Sequence, residues 1–143
     1  MTFQNKLAYG QLWEDKAKEF ITKHNEVEVT EEQTSVNYRT MHYDFKTSDD
    51  ITYEVKADTM SSKTGNFFIE YHGYGKPSGI SIATAHTHIL TDERICFKIP
   101  TKKIIRLIKR NDYKEGFVKS SNTKGVLIPR ADIIKYACVY DCF

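Results

Sequence analysis

The sequence predicts an α/β (α+β) domain in which helices flank a mixed central β-sheet. Three observations carry this expectation. Residues 8–24 space their apolar side chains as one stripe of a helix, residues 38–71 alternate with the period of strands, and residues 101–116 return to a helical pattern before a last strand. At 143 residues, 40% of them hydrophobic, the chain suits a single globular domain over 1–143.

In the first helix Trp13, Ala17, Phe20 and Ile21 share a face, with Glu14, Asp15, Lys18 and Glu19 around it. The acidic stretch 25–36 alternates Val27 and Val29, which fits a short edge strand. Tyr38, Met41, Tyr43 and Phe45 then mark one strand, and Ile51, Tyr53, Val55 and Ala57 the next; Thr47-Ser48-Asp49-Asp50 supplies the turn. NFFIEY (66–71) is expected as the third strand of a β-meander, and GYGKPSG (73–79) as a loop. Residues 80–90 fit a short helix or a strand. ICFKIP (95–100) reads as a strand, Thr101 as the N-cap of the helix over 101–116, KGVLIPR (124–130) as a last strand, and 131–143 as a short closing element.

The net charge of +2 hides an uneven distribution. Residues 1–59 carry 12 acidic groups against 7 basic, whereas residues 98–119 carry 8 basic groups against 2 acidic. Such a chain suits a polyanion on one surface and a cation near another. No apolar run is long enough for a membrane helix, the first twenty residues lack the apolar core of a secretion signal, and Cys96, Cys138 and Cys142 follow no zinc-finger spacing. An intracellular protein with reduced thiols is expected.

The chemistry concentrates in YDFKTSDDITYEVKAD (43–58). A hairpin turning near residue 49 sets Asp44 opposite Glu54, and Lys56 lies one strand-step further on the same face. Two carboxylates side by side repel, and a divalent cation offsets that repulsion. Oxygen donors favour Mg²⁺, Mn²⁺ or Ca²⁺ over zinc. A lysine beside such a site can stabilise charge developing on a phosphate. A one-residue slip of register would send Asp44 to the other face.

Asp44, nine intervening residues and then Glu54-Val55-Lys56 resemble the signature of the PD-(D/E)XK nuclease superfamily, with Tyr43 in the place of its Pro. GNFFIEY, GKPSGI, AHTHI and KGVLIP further resemble small phage- and virus-encoded members. The resemblance implies a restriction-endonuclease-like core and an Mg²⁺-dependent DNA endonuclease in which Mn²⁺ substitutes. It makes Asp44, Glu54 and the Val55 carbonyl metal ligands and Lys56 the catalytic lysine. Many members add a Glu from the first helix; Glu14 is the candidate here, with Glu19 as alternative. Resolvase, homing and restriction or repair types all share the motif.

Further candidates surround this set. Glu70 would reach the metal site if its strand pairs with the second, and Ser78-Gly79 could approach a phosphate through backbone N–H groups. His86, two residues before His88, is the candidate histidine. Lys102, Lys103, Arg106, Lys109 and Arg110 make half of TKKIIRLIKR basic, and with Lys119 they are the expected contacts to DNA phosphates. A domain this small favours a homodimer for cutting two strands. The competing expectation is a non-catalytic nucleic-acid-binding module, in which the basic helix binds and the acidic cluster is incidental. Asp50 and Asp58 are expected to be ordinary surface acids.

Overall fold

The computed structural model describes residues 3–32 and 42–141. In chain order these form α1 (Phe3–Asn25), β1 (Val29–Glu32), β2 (Phe45–Thr47), β3 (Thr52–Ala57), α2 (Ser61–Thr64), β4 (Asn66–Gly73), β5 (Lys76–Pro77), a 3-10 turn (Gly79–Ser81), β6 (Thr87–Thr91), β7 (Ile95–Pro100), α3 (Thr101–Arg110), β8 (Glu115–Val118), a second 3-10 turn (Lys119–Ser121), β9 (Thr123–Pro129), α4 (Arg130–Ile134) and β10 (Cys138–Asp141). The expected strand positions Tyr38 and Met41, and Cys142, lie outside the described residues.

The strands form two sheets. One is six-stranded and mixed, in the order β1-β2-β3-β6-β7-β10; the other has the order β5-β4-β9-β8. β3 pairs antiparallel with β2 and parallel with β6, so it is central, with a neighbour on each side. The hairpin turn falls where the sequence puts it: the Asp50 N–H donates to the Thr47 carbonyl at 2.9 Å. Asp50 takes the left-handed conformation (φ 63°), which closes a three-residue loop.

The β-meander is the main correction. β4 does not extend the sheet of β3 but pairs antiparallel with β9 in the second sheet. The cause lies in the connection. Asp58 accepts the Met60 N–H at 3.0 Å through one carboxylate oxygen and the Phe68 N–H at 3.0 Å through the other. Gly65 then reverses the chain at φ 77°. Asp58 is therefore a structural tie rather than a plain surface acid. The expected loop 73–79 contains a tight hairpin, with Tyr74 and Gly75 both at positive φ between the paired residues Gly73 and Lys76. The ambiguous stretch 80–90 resolves into a 3-10 turn and β6. The second helix ends at Arg110 rather than 116, because Glu115–Val118 pairs with β9 as β8. Thr101 is not its N-cap: Pro100 holds that position, and the Thr101 hydroxyl is engaged by His88.

Each face of the large sheet has its own core. α1 covers one face, burying Ala17, Phe20 and Ile21 against Phe45, Tyr53, Ile89 and Cys96. On the other face Leu90, Phe97 and Ile99 meet Phe67, Ile69 and Ile128 of the second sheet, together with Ile104 and Leu107 of α3 and Ile133 of α4. Arg130 joins the two sheets across this interface. Its guanidinium donates to Asp92 at 2.7 Å and to Ser61 at 3.2 Å, and it lies 5.0 Å from the centre of the Phe97 ring. Asp92 is nearly fully buried and also accepts the backbone N–H groups of Arg94 and Ile95.

Removing one partner of a buried ion pair strands the other charge. Arg130→Ala is expected to lower the unfolding free energy by about 3 kcal/mol in urea denaturation. A loss under about 1 kcal/mol would mean that the sheets are held by apolar contact alone.

Candidate active site

The register of β2 on β3 positions the first carboxylates. Phe45 faces Tyr53, with their rings stacked 5.0 Å apart, and continuing that pairing sets Asp44 beside Glu54. The Asp44 N–H donates to the Tyr53 carbonyl at 2.8 Å. Its carboxylate accepts the Val55 N–H at 2.7 Å, occupying the place that the next β2 residue would have held in the ladder. Burial raises the Asp44 pKa, and the Val55 N–H and the charges of Lys56 and Lys18 oppose that rise.

Glu54 is only 2% exposed, because β3 lies inside the sheet. One of its oxygens meets the Lys56 ammonium at 3.1 Å, and half of the Lys56 side chain remains open to solvent. The Glu54 carboxylate, with smaller contributions from Asp44 and Glu70, holds the Lys56 pKa above its usual value. Lys56 therefore stands as a cation in front of a buried anion.

α1 adds a third carboxylate. Burial raises the Glu14 pKa, and the charge of Asp44 raises it further, which places Glu14 within the field of Asp44. Sequence alone does not reveal its counterion, Lys18. That ammonium is almost buried and lies 3.2 Å from Glu14 and 3.0 Å from Glu32. Burial works against the charge of Lys18, but these carboxylates outweigh it and raise its pKa. The signal is the i,i+4 spacing of Glu14 and Lys18 on the inner face of a helix. Glu19, the alternative, is exposed.

Lys56 opens into a cleft of about 460 Å³, walled also by Asn66, Glu70, Gly79, His88 and Val118. Glu70 reaches it from the second sheet, across the cleft from β3, and not by pairing beside β3. Gly79 packs so closely on β4 that a side chain there would strike the Glu70 carbonyl. The Ser78 hydroxyl is buried beside Gly73, without a hydrogen-bond partner among the described residues. The structure exchanges the two histidines. His86 is held by Thr52, whose N–H donates to its Nδ1 at 3.1 Å, while His88 lies in register with Glu54 and lines the cleft. Burial, aided by the nearby Lys56 charge, pushes the His88 pKa down to about 3.

The basic residues divide in position. Lys119 is exposed and follows Val118 at the edge of the cleft. Lys102, Arg106, Lys109 and Arg110 are exposed along α3, and Lys103 sits 5.4 Å from the Tyr136 ring. The first turn of α3 contains Lys102 and Lys103 and no acid. Cations there oppose the helix dipole, so they serve no helix-stabilising role.

Among the described residues, no group of three His, Cys, Asp or Glu is placed to hold a metal ion on its own. The fit to Mg²⁺ is nevertheless good, since that ion is commonly held by one or two carboxylates with waters and substrate phosphates completing its shell. Asp44 and Glu54 would supply those carboxylates, and Val55 lies between Glu54 and Lys56 with its N–H already on Asp44. Cys96 is buried and Cys138 exposed, and neither lines the cleft. No helix of the described residues is long and apolar enough to cross a membrane. Comparison with family models, curated proteins and solved structures finds no significant match.

His88 makes the fold acid-sensitive. Its pKa is lower folded than unfolded, so the unfolded chain takes up the proton first and stability falls as pH drops from about 6.5 towards 3. Over that window His88→Gln is expected to flatten the stability-versus-pH slope by up to about 1.4 kcal/mol per pH unit, measured by urea denaturation at several pH values. Equal slopes in the two proteins would contradict the buried neutral imidazole.

Proposed function

We propose that this chain is a metal-dependent DNA endonuclease of the PD-(D/E)XK type on a restriction-endonuclease-like core. The observation that carries the reading is the Asp44 carboxylate on the Val55 N–H at 2.7 Å, next along β3 to Glu54, whose own carboxylate meets Lys56 at 3.1 Å beside a cleft. Asp44 and Glu54 would hold Mg²⁺, or Mn²⁺ in its place, with the Val55 carbonyl as the further ligand. The bound ion would polarise the scissile phosphate and lower the pKa of a coordinated water. Lys56, kept protonated by Glu54, supplies positive charge where negative charge builds up on the phosphate. Glu14 and Glu70 approach from α1 and β4 and fix the balance of charge around Lys56 and Asp44. Lys119 and the outer face of α3 bind the phosphates on either side. Two copies, one site for each strand, would make a double-strand cut.

One observation favours the second reading, a nucleic-acid-binding module without catalysis. Lys56 and Lys18 lie against Glu54 and Glu14 and neutralise their charge. The deciding experiment is cleavage of supercoiled, linear, single-stranded and four-way-junction DNA with Mg²⁺, Mn²⁺ or EDTA. Cleavage is expected only with metal, and Lys56→Ala should lose at least about 10²-fold in rate while still binding DNA. Binding without cleavage under every metal would leave the second reading.

The basic face makes a separate prediction. Lys102→Ala and Arg106→Ala should weaken binding to all duplex sequences alike and each reduce the salt slope of log K by about 1. An unchanged slope would show that α3 does not touch the backbone.

A further inference from the structure

His88 is the residue of this cleft that the proposed mechanism does not use. It is 3% exposed and paired in parallel register with Glu54, so the two side chains stand on the same face of the sheet. Its Nδ1 lies 2.8 Å from the Thr101 hydroxyl. Either atom could carry the proton between them, and the surroundings of Thr101 decide which.

Thr101 is 4% exposed, and its backbone N–H donates to the His86 carbonyl. Among the described residues the Thr101 hydroxyl makes a hydrogen bond only with His88. If Nδ1 held the proton and donated it, the hydroxyl hydrogen would be buried without an acceptor, at a cost of about 1–3 kcal/mol. Thr101 therefore donates to Nδ1, and the ring proton of neutral His88 sits on Nε2. That leaves an N–H donor with no hydrogen-bond partner among the described residues, on a ring that lines the cleft with Lys56 and Glu70. Neither carboxylate beside it, Glu54 or Glu70, is its acceptor in the structure.

We propose that His88 is a catalytic residue, donating its Nε2–H to a non-bridging oxygen of the phosphate that is cut. The inference rests on the endonuclease reading for its substrate. Thr101 is the positioning residue. As the first residue of α3, it fixes the tautomer and links the basic helix to the site, so phosphates held along α3 and the phosphate at Lys56 are aligned by one hydrogen bond. A neutral donor suits this place beside Lys56, because it adds a hydrogen bond without a second full positive charge.

Long-range ¹H–¹⁵N correlation spectra of the ¹⁵N-histidine-labelled protein test this directly, with His88→Gln used to assign the ring. The free protein should show the Nε2–H tautomer, and Thr101→Ser, which keeps the hydroxyl donor, should preserve it. Adding a short DNA duplex in EDTA should shift the His88 Nε2–H. In single-turnover cleavage with Mg²⁺, His88→Ala should lose about 10²-fold in rate with unchanged Mg²⁺ dependence, and His88→Gln, which keeps an N–H near Nε2, should recover most of it. An Nδ1–H tautomer in the parent, an unmoved Nε2–H with duplex bound, or parental cleavage by His88→Ala would overturn the inference. Cleavage that ignores His88 sinks this inference alone. A parent that shifts Nε2–H on binding but cuts nothing sinks the endonuclease reading and reduces His88 to a binding contact.

Discussion

A carboxylate buried on the central strand of the sheet is the constraint around which the site is organised. Glu54 cannot be hydrated where it stands, and an isolated charge at such depth is costly. The chain answers with Lys56 two residues along the same strand face. Asp44, just before β2, faces the same problem and is met by the Val55 N–H. Glu14 is met by Lys18 from one turn along its own helix. The result is two ion pairs, Glu54–Lys56 and Glu14–Lys18, whose lysines both act on Asp44. Such an arrangement can exchange one counterion for another. A cation coordinated by Asp44 and Glu54 would release Lys56 toward an incoming phosphate.

Around this region the two sheets act as jaws. β3 and β6 form one wall of the cleft, β4 with the 3-10 turn after β5 forms the other, and the apolar cluster of Phe67, Ile69, Leu90, Phe97 and Ile128 fixes their separation. The Arg130–Asp92 pair fastens the far side of the same interface. Glu70 owes its place to this geometry rather than to strand pairing. Since β4 turns away from β3, its carboxylate lies across the cleft from Lys56.

Local order was legible in the sequence, and long-range pairing was not. The helix stripe of Trp13, Ala17, Phe20 and Ile21 and the turn at Thr47–Asp50 follow from periodicity and turn chemistry, and the register that puts Asp44 next to Glu54 follows from the turn. The path of β4 depends on side-chain-to-backbone bonds of Asp58, which alternation does not encode. For the same reason the helical pattern over 101–116 does not announce β8: Glu115–Val118 is a strand only because β9 lies beside it. His86 and His88 differ by two residues and would share a face of one strand, yet β6 begins at Thr87 and leaves His86 in the preceding turn with Thr52. Lys18 was legible as a surface helix charge and became internal only once β1 brought Glu32 over it.

The central claim is that Asp44 and Glu54 form a cation site completed by a nucleic-acid phosphate, and Mn²⁺ binding followed by electron paramagnetic resonance tests it most directly. Titrations of the parent chain, Asp44→Asn, Glu54→Gln and Lys56→Ala would be run with and without a short DNA duplex. The account predicts weak Mn²⁺ binding by the parent alone, tighter binding with duplex present, loss of the bound ion in both carboxylate variants, and its retention in Lys56→Ala. Mn²⁺ binding that is indifferent to the duplex and to both carboxylate substitutions would contradict it.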